Sequence, residues 1–179
     1  MTISYRNITL SEIELEDIEL LRNLRNENRD SLLNQTRIDK DEQLLWFKAL
    51  DKEKNVFFKI MRKEVLVGFI FVKNIDAIQN SFETGVLILE EFKGSSAVSF
   101  SAIMLSFYFF YYKNFDYAFA YIHKENQDAI AFNKSLRFEI LEQVEDFYKL
   151  CCSKEAYLSL LEKYHLTNKL KNEIKLVLS

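Results

Sequence analysis

Hydrophobic and polar residues along the chain change period several times, and each change marks an element. Between Ile3 and Ile13 β-branched and polar residues mix as in an edge strand. Glu14-Leu15-Glu16-Asp17 then opens a helix whose Ile18, Leu21 and Leu24 recur at helical spacing. Asp39 to Gln43 puts acidic residues at the start of a second short helix carrying Leu44, Leu45, Trp46, Phe47 and Leu50. Val56 to Met61 and Val65 to Val72 are rich in strand formers and flank the charged turn Arg62-Lys63-Glu64, so they read as a hairpin. A third strand, Ser81 to Leu89, completes an antiparallel meander. Helices then alternate with strands: a helix from Ala97 to Tyr112, a strand at Tyr117 to Ile122, a helix at Gln127 to Leu136, and strands near Phe138 to Leu141 and Phe147 to Leu150. Ser153 is placed to cap a last helix through Tyr164, with Leu170, Ile174 and Val177 continuing a helical stripe to the end. That aromatic tail is suited to cover a sheet edge or to pair two subunits.

Composition narrows the class. With 49% hydrophobic and 15% aromatic content over 179 residues, the chain carries enough apolar material for one core. No repeat or Gly/Ser linker divides it. A net charge of -3 gives no general attraction to nucleic acid or to anionic lipid. The apolar run from Ala97 to Tyr112 falls short of the roughly 20 residues that a bilayer requires, so it predicts a buried helix and no membrane partner. The N-terminus lacks the charged, apolar, small-residue order of a secretory signal, which points to the cytoplasm. Cys151 and Cys152 are adjacent and face opposite sides of a strand, so reduced thiols are expected. The two histidines, His123 and His165, lie far apart and offer no metal-ligand spacing, so no metal is expected.

Chemistry concentrates at one turn. Three glycines and no proline serve the chain, and Gly94 stands where the strand ending at Leu89 hands over to the long helix. A small-residue turn at a helix N-terminus presents free N–H groups and the positive end of the helix dipole, which suits phosphates. Lys93 beside it adds a cation.

The order strand, two helices, three-strand meander, anion turn, helix, strand, helix, two strands resembles the GCN5-related N-acetyltransferase (GNAT) fold over about residues 1–150. Lys93-Gly94-Ser95-Ser96-Ala97-Val98 stands where that family has Gln/Arg-x-x-Gly-x-Gly/Ala, the loop that holds the pyrophosphate of acetyl-CoA. Asn126-Gln127-Asp128-Ala129 through Asn133-Lys134-Ser135-Leu136-Arg137-Phe138 is similar to the family's Asn-x-x-Ala-x-x-x-Tyr-x-x-x-Gly-Phe segment. Leu24 to Asn28 and Glu42 to Phe47 resemble the substrate-side helices of the branch acting on ribosomal-protein N-termini and amino sugars. The spacing of Glu83, Gly85 and Lys93-Gly94 is similar to that of the acetyltransferases of nucleotide-linked 4-amino sugars in pseudaminic acid synthesis.

The resemblance implies an α/β (α+β) protein with a mixed, mostly antiparallel sheet flanked by helices. It implies an acyltransferase domain over residues 1–152 and a helical extension over 153–179 packed on it. Acetyl-CoA is the implied co-substrate, held by Val86, Leu87 and Ile88 through main chain, by Lys93, Gly94, Ser95, Ser96, Ala97 and Val98 at the turn, and by Asn126, Asn133 and Lys134. Glu83 is the implied base for the amine. Asn133 stands where many members carry the tyrosine that protonates the departing thiolate, and an amide cannot supply that proton. Tyr148 is the first candidate donor, with Tyr121 and His123 behind it. Arg137 replaces a glycine, which predicts a different helix end there. Arg25, Asn26 and Trp46 are candidates to contact the acceptor, arginine through a phosphate and indole by stacking. The implied acceptor is the primary amine of an amino sugar, most simply nucleotide-linked. A protein N-terminus is the alternative, favoured by a negatively charged groove near Glu83 over a basic pocket. A catalytically inactive ligand- or partner-binding module is the third reading, and a homodimer is allowed by each.

Overall fold

A computed structural model describes residues 1–177. Nine strands and six α-helices are present among them: β1 Thr2–Tyr5, β2 Ile8–Glu12, α1 Ile18–Glu27, α2 Lys40–Lys48, β3 Val56–Arg62, β4 Val65–Asp76, β5 Ser81–Ile88, α3 Ser96–Phe107, β6 Tyr117–His123, α4 Gln127–Ser135, β7 Glu139–Val144, β8 Phe147–Ser153, α5 Lys154–Lys163, α6 Leu166–Glu173 and β9 Lys175–Val177. The strands form one sheet in the order β7-β8-β6-β5-β4-β3-β2-β1-β9. Only β5 and β6 run parallel, so the sheet is mixed and mostly antiparallel.

The single N-terminal strand expected between Ile3 and Ile13 is instead a hairpin. Ile3 and Tyr5 are buried, and the next buried residues are Ile8 and Leu10, so the two-residue alternation skips a beat at Arg6-Asn7. That phase slip is the turn, and Arg6 takes a left-handed conformation (φ 54°) to make it.

Two apolar layers cover the sheet. On one face Ile60, Ile70, Val72, Phe82, Ala118, Ala120, Ile122 and Leu150 pack with residues of α3, α4, α5 and α6. On the other, Phe57, Phe69, Phe71 and Leu87 pack beneath Leu21 and Leu24 of α1 and Trp46 and Phe47 of α2. The helix starts follow the expected chemistry. Asp39 accepts from the Glu42 amide while Glu42 accepts from the Asp39 amide, each at 2.8 Å, a reciprocal box that fixes where α2 begins. After Phe107 the long helix widens into a π turn, Tyr108–Tyr112, which buries Tyr108, Phe109 and Phe110 in succession.

The tail departs from the expected unbroken helix. His165 in a left-handed conformation (φ 54°) separates α5 from α6, and the stripe through Leu170 and Ile174 ends in β9, which pairs antiparallel with β1. Val177 therefore belongs to a strand, and residues 178 and 179 of the expected extension lie outside the described residues. Tyr157 of α5 is wholly buried and its hydroxyl donates to the Ile103 carbonyl at 2.7 Å, while Leu161 and Leu170 join the main core. Among the described residues no helix is long and apolar enough to cross a membrane.

Candidate active site

The parallel pair β5–β6 creates the site by stopping early. Ser81, Phe82 and Glu83 pair with Tyr117, Ala118 and Phe119; beyond them β5 continues only against β4 and β6 only against β8. The two strands part, and one backbone edge of Thr84–Ile88 faces a wedge rather than a neighbour. Strand alternation then sorts the side chains. Glu83, Gly85 and Leu87, with Phe119, Tyr121 and His123, lie on the α1/α2 face. Val86, 37% exposed, and Tyr148, which sits opposite Ile122, lie on the α3/α4 face.

At the α3 end of the wedge the chain turns through Gly94, whose positive φ of 73° is its requirement, since a Cβ there would meet nothing within 4 Å. Ser95 is the N-cap residue of α3, yet its hydroxyl makes no capping bond, and this buried oxygen has no hydrogen-bond partner. Among the described residues the amides of Gly94, Ser96 and Ala97 donate no hydrogen bond, whereas the Val98 amide is bonded to the Ser95 carbonyl at 3.1 Å. No acidic residue sits in the first turn of α3. An orphaned hydroxyl, free amides and the positive helix end fit a pyrophosphate. Lys93 is ion-paired with Glu90 three residues earlier, and both side chains are exposed, so the ammonium is free to change partner.

The α4 residues do not converge on that turn. Asn126 caps its own helix by accepting from the Ala129 amide at 3.1 Å, and Asn133 folds back to donate to the Ala129 carbonyl at 2.9 Å. Lys134 stands eight residues beyond Asn126, about 12 Å along the axis, beside a shallow recess with Arg137 and Ile140. The helix end at Arg137, expected to differ from the glycine form, does not. Arg137 holds φ 72°, its amide donates to Lys134 and that of Phe138 donates to Asn133, which is the double closure a glycine would make.

On the opposite face Glu83 is 14% exposed and both carboxylate oxygens are engaged: Oε1 with Lys73 Nζ at 2.8 Å, Oε2 with Asn74 Nδ2 at 2.8 Å. The Lys73 ammonium also lies 5.2 Å from the centre of the Phe71 ring. Phe71 in turn lies where a side chain on Gly85 would be, its Cζ 2.5 Å from that Cβ position, so the glycine makes room for the ring. Trp46 packs edge-on against Phe57 at 5.0 Å, and the two, with Leu50, Asp51, Asn55 and the Glu83 partner Lys73, line a cavity of about 270 Å³. Across the fork Lys149 lies 5.1 Å over Phe119 and is paired with Glu142 at 3.2 Å. The hydrogen bond that Lys149 donates to Glu142 raises the Lys149 pKa above its ordinary value.

Arg25 and Asn26, expected at an acceptor, grip the chain between α1 and α2 instead. Arg25 donates to the carbonyls of Thr36 (2.6 Å) and Asn34 (2.9 Å), and Asn26 exchanges hydrogen bonds with both backbone groups of Ile38 at 2.8 and 3.0 Å. His123 is turned to its own loop, its Nδ1 accepting weakly from the Glu125 amide at 3.4 Å and its ring edge-on to Phe147. Sequence reading missed Lys73 and Asn74. Their signal was the hairpin register that sets Lys73 directly opposite Glu83, an oppositely charged cross-strand pair. Among the described residues no cluster of three or more His, Cys, Asp or Glu is arranged to hold a metal ion.

The family model of the GNAT acetyltransferase domain matches residues 10–151. No curated protein matches the chain in sequence. Among solved structures, FdhC, a nucleotide-linked sugar GNAT, is similar at a TM-score of 0.77 and 18% identity, over 93% of this chain and 97% of that one. Spermidine N-acetyltransferase from Vibrio cholerae, in complex with CoA and spermine, is similar at 0.76 and 20% identity, over 85% of this chain and 98% of that one. Mutant forms of the spermidine/spermine N-acetyltransferase SpeG from the same organism align at 0.75 and 18% identity, over 86% and 97%.

Proposed function

Because the chain belongs to the GNAT acetyltransferase family, whose members use acetyl-CoA to acetylate amines, we propose that the fork between β5 and β6 is the catalytic centre and that the acceptor is the amine of an amino sugar, most simply one linked to a nucleotide. One observation carries the reading: the strands part immediately after Glu83, so the carboxylate stands at the mouth of the opening, with Tyr148 on the other face one strand away, on β8 opposite Ile122 of β6.

Acetyl-CoA supplies a thioester carbonyl. The backbone of Val86, Leu87 and Ile88 runs along the wedge as the surface for its pantetheine arm, and the free amides at Gly94, Ser96 and Ala97, with Lys93 and Ser95, receive the phosphates. Glu83 takes the proton that the amine sheds as its nitrogen bonds to the carbonyl carbon. As the carbon–sulfur bond breaks, the Tyr148 hydroxyl gives a proton to the sulfur and regains one from water. Tyr148 is preferred over Tyr121 and His123 because it alone of the three lies on the α3/α4 face. No residue forms a covalent link to the acetyl group in this scheme.

Charge around Glu83 supports a phosphate-bearing acceptor over an extended peptide. Glu83 and Glu142 on that face are each matched by a lysine, Glu83 by Lys73 and Glu142 by Lys149, rather than gathered into an acidic groove, and aromatic Trp46 and Phe57 line the cavity that Lys73 shares, as a sugar ring prefers. The similarity to a nucleotide-linked sugar GNAT over 93% of the chain points the same way.

Calorimetric titration with acetyl-CoA, using desulfo-CoA and free CoA as controls, tests the wedge. Thiol release in the presence of amino-sugar phosphates tests the chemistry. Glu83→Gln is expected to slow release by about 10²–10⁴-fold while leaving acetyl-CoA affinity within about twofold, since the carboxylate faces away from the cofactor side. Unchanged turnover in that variant removes Glu83 from the mechanism.

A further inference from the structure

We propose that Lys73 is a latch over Glu83 that an anionic group on the acceptor opens, so that the site selects amines carrying a negative charge over polyamines; this rests on the reading of Glu83 as proton acceptor. Each Glu83 oxygen holds one partner, Lys73 on Oε1 and Asn74 on Oε2. An incoming amine shares the carboxylate with the Lys73 charge, which weakens it as a proton acceptor until Lys73 moves. Asn74 is fixed by its left-handed backbone (φ 49°) at the irregular register between Lys73 and Asp76. Lys73 is mobile by construction: it is 35% exposed, its charge sits on a four-carbon stem, and its other side lines the Trp46–Phe57 cavity.

One carboxylate, that of Asp51, lines the cavity with Lys73; it is turned to its own loop, Oδ1 accepting from the Glu53 amide at 3.0 Å and Oδ2 lying 4.0 Å from Lys54. A ring bearing phosphate, seated against Trp46 and Phe57, therefore draws Lys73 away from Glu83 and leaves Oε1 open to the amine on the same ring. A polyamine does the opposite. It brings further positive charge beside Lys73 and must compete with it for the same carboxylate, an arrangement that rejects by repulsion.

The test separates binding from turnover. Glucose 1-phosphate has the ring and the anion but no amine, so calorimetry with it reports Lys73 alone. Lys73→Met, with Lys73→Gln as a second variant checked by thermal unfolding, is expected to weaken binding about tenfold, and Glu83→Gln, which removes the competitor, to tighten it several-fold. Equal affinity in wild type and both Lys73 variants, or no tightening in Glu83→Gln, overturns the latch. In turnover, the kcat/KM ratio for a 4-amino-4-deoxyhexose 1-phosphate over its free sugar is expected to fall about tenfold in Lys73→Met and that for spermidine to rise; unchanged ratios overturn it. If the glucose 1-phosphate pattern appears and Glu83→Gln transfers acetyl as fast as wild type, the anion seat stands and the role of Glu83 as base falls.

Discussion

At the scale of single residues the chain places unfavourable local choices where geometry demands them. Arg137 occupies a left-handed helix end that glycine adopts without strain, and it does so with both closing hydrogen bonds intact. Nothing in its exposed side chain repays that strain within the fold. Arg137→Gly is expected to stabilise the protein by about 1 kcal/mol, read as a rise of roughly 2–4 °C in Tm; a fall would mean that Arg137 makes a contact worth more than its backbone strain. Glu83, Tyr148 and Trp46 were legible as chemistry-bearing residue types. Their division between faces was not, because a side chain's face follows from register. Lys73 is the clearest omission: a lysine at the end of a hydrophobic strand reads as a solvated terminus until the hairpin sets it across from a carboxylate.

Among the elements, the junction of β5 and α3 matters most. Gly94 needs only its positive φ, with open space around the missing side chain, so asparagine, which tolerates that conformation, should replace it. Gly94→Asn is expected to keep acetyl-CoA affinity within about threefold, whereas Gly94→Val, β-branched and strained at φ 73°, should weaken it about tenfold or more. Calorimetry distinguishes the two, and equal loss in both would show that the site needs the glycine for close approach rather than for conformation. The α1–α2 connection is a second such element. Arg25 and Asn26 hold it by three backbone carbonyls and one amide. The meander was plain from runs of strand-forming residues flanking a charged turn, and the long helix from an apolar stretch too long for a strand. Short elements were less plain: the slip at Arg6-Asn7 and the three-residue β9 leave too few residues for a period to register.

For the whole molecule, the tail is part of the core rather than an attachment to it, and two buried titratable groups, Cys152 of β8 and Tyr157 of α5, tie stability to pH. Burial pushes the Cys152 thiol from 9.0 up to about 12, and burial likewise raises the wholly buried Tyr157 hydroxyl well above its usual 10.0. Folding keeps both protonated where the unfolded chain ionises. Their contribution is therefore complete below about pH 9 and is lost as pH climbs through the folded values, Cys152 alone accounting for up to about 4 kcal/mol by pH 12. Denaturant midpoints measured across that range should fall steadily, and less steeply in Cys152→Ala; parallel curves would mean that the thiol does not titrate with unfolding. The sequence by itself determined the order of elements from the meander to β8, the mixed sheet and the family, because each is written in local spacing or in a short motif. Tertiary structure alone decided that β5 and β6 separate after Glu83, that Tyr148 and Glu83 lie on opposite faces, that Lys73 covers the carboxylate, and that the tail closes the sheet at β1. Those facts depend on register and packing between segments far apart in the chain, and no local pattern of residues carries them.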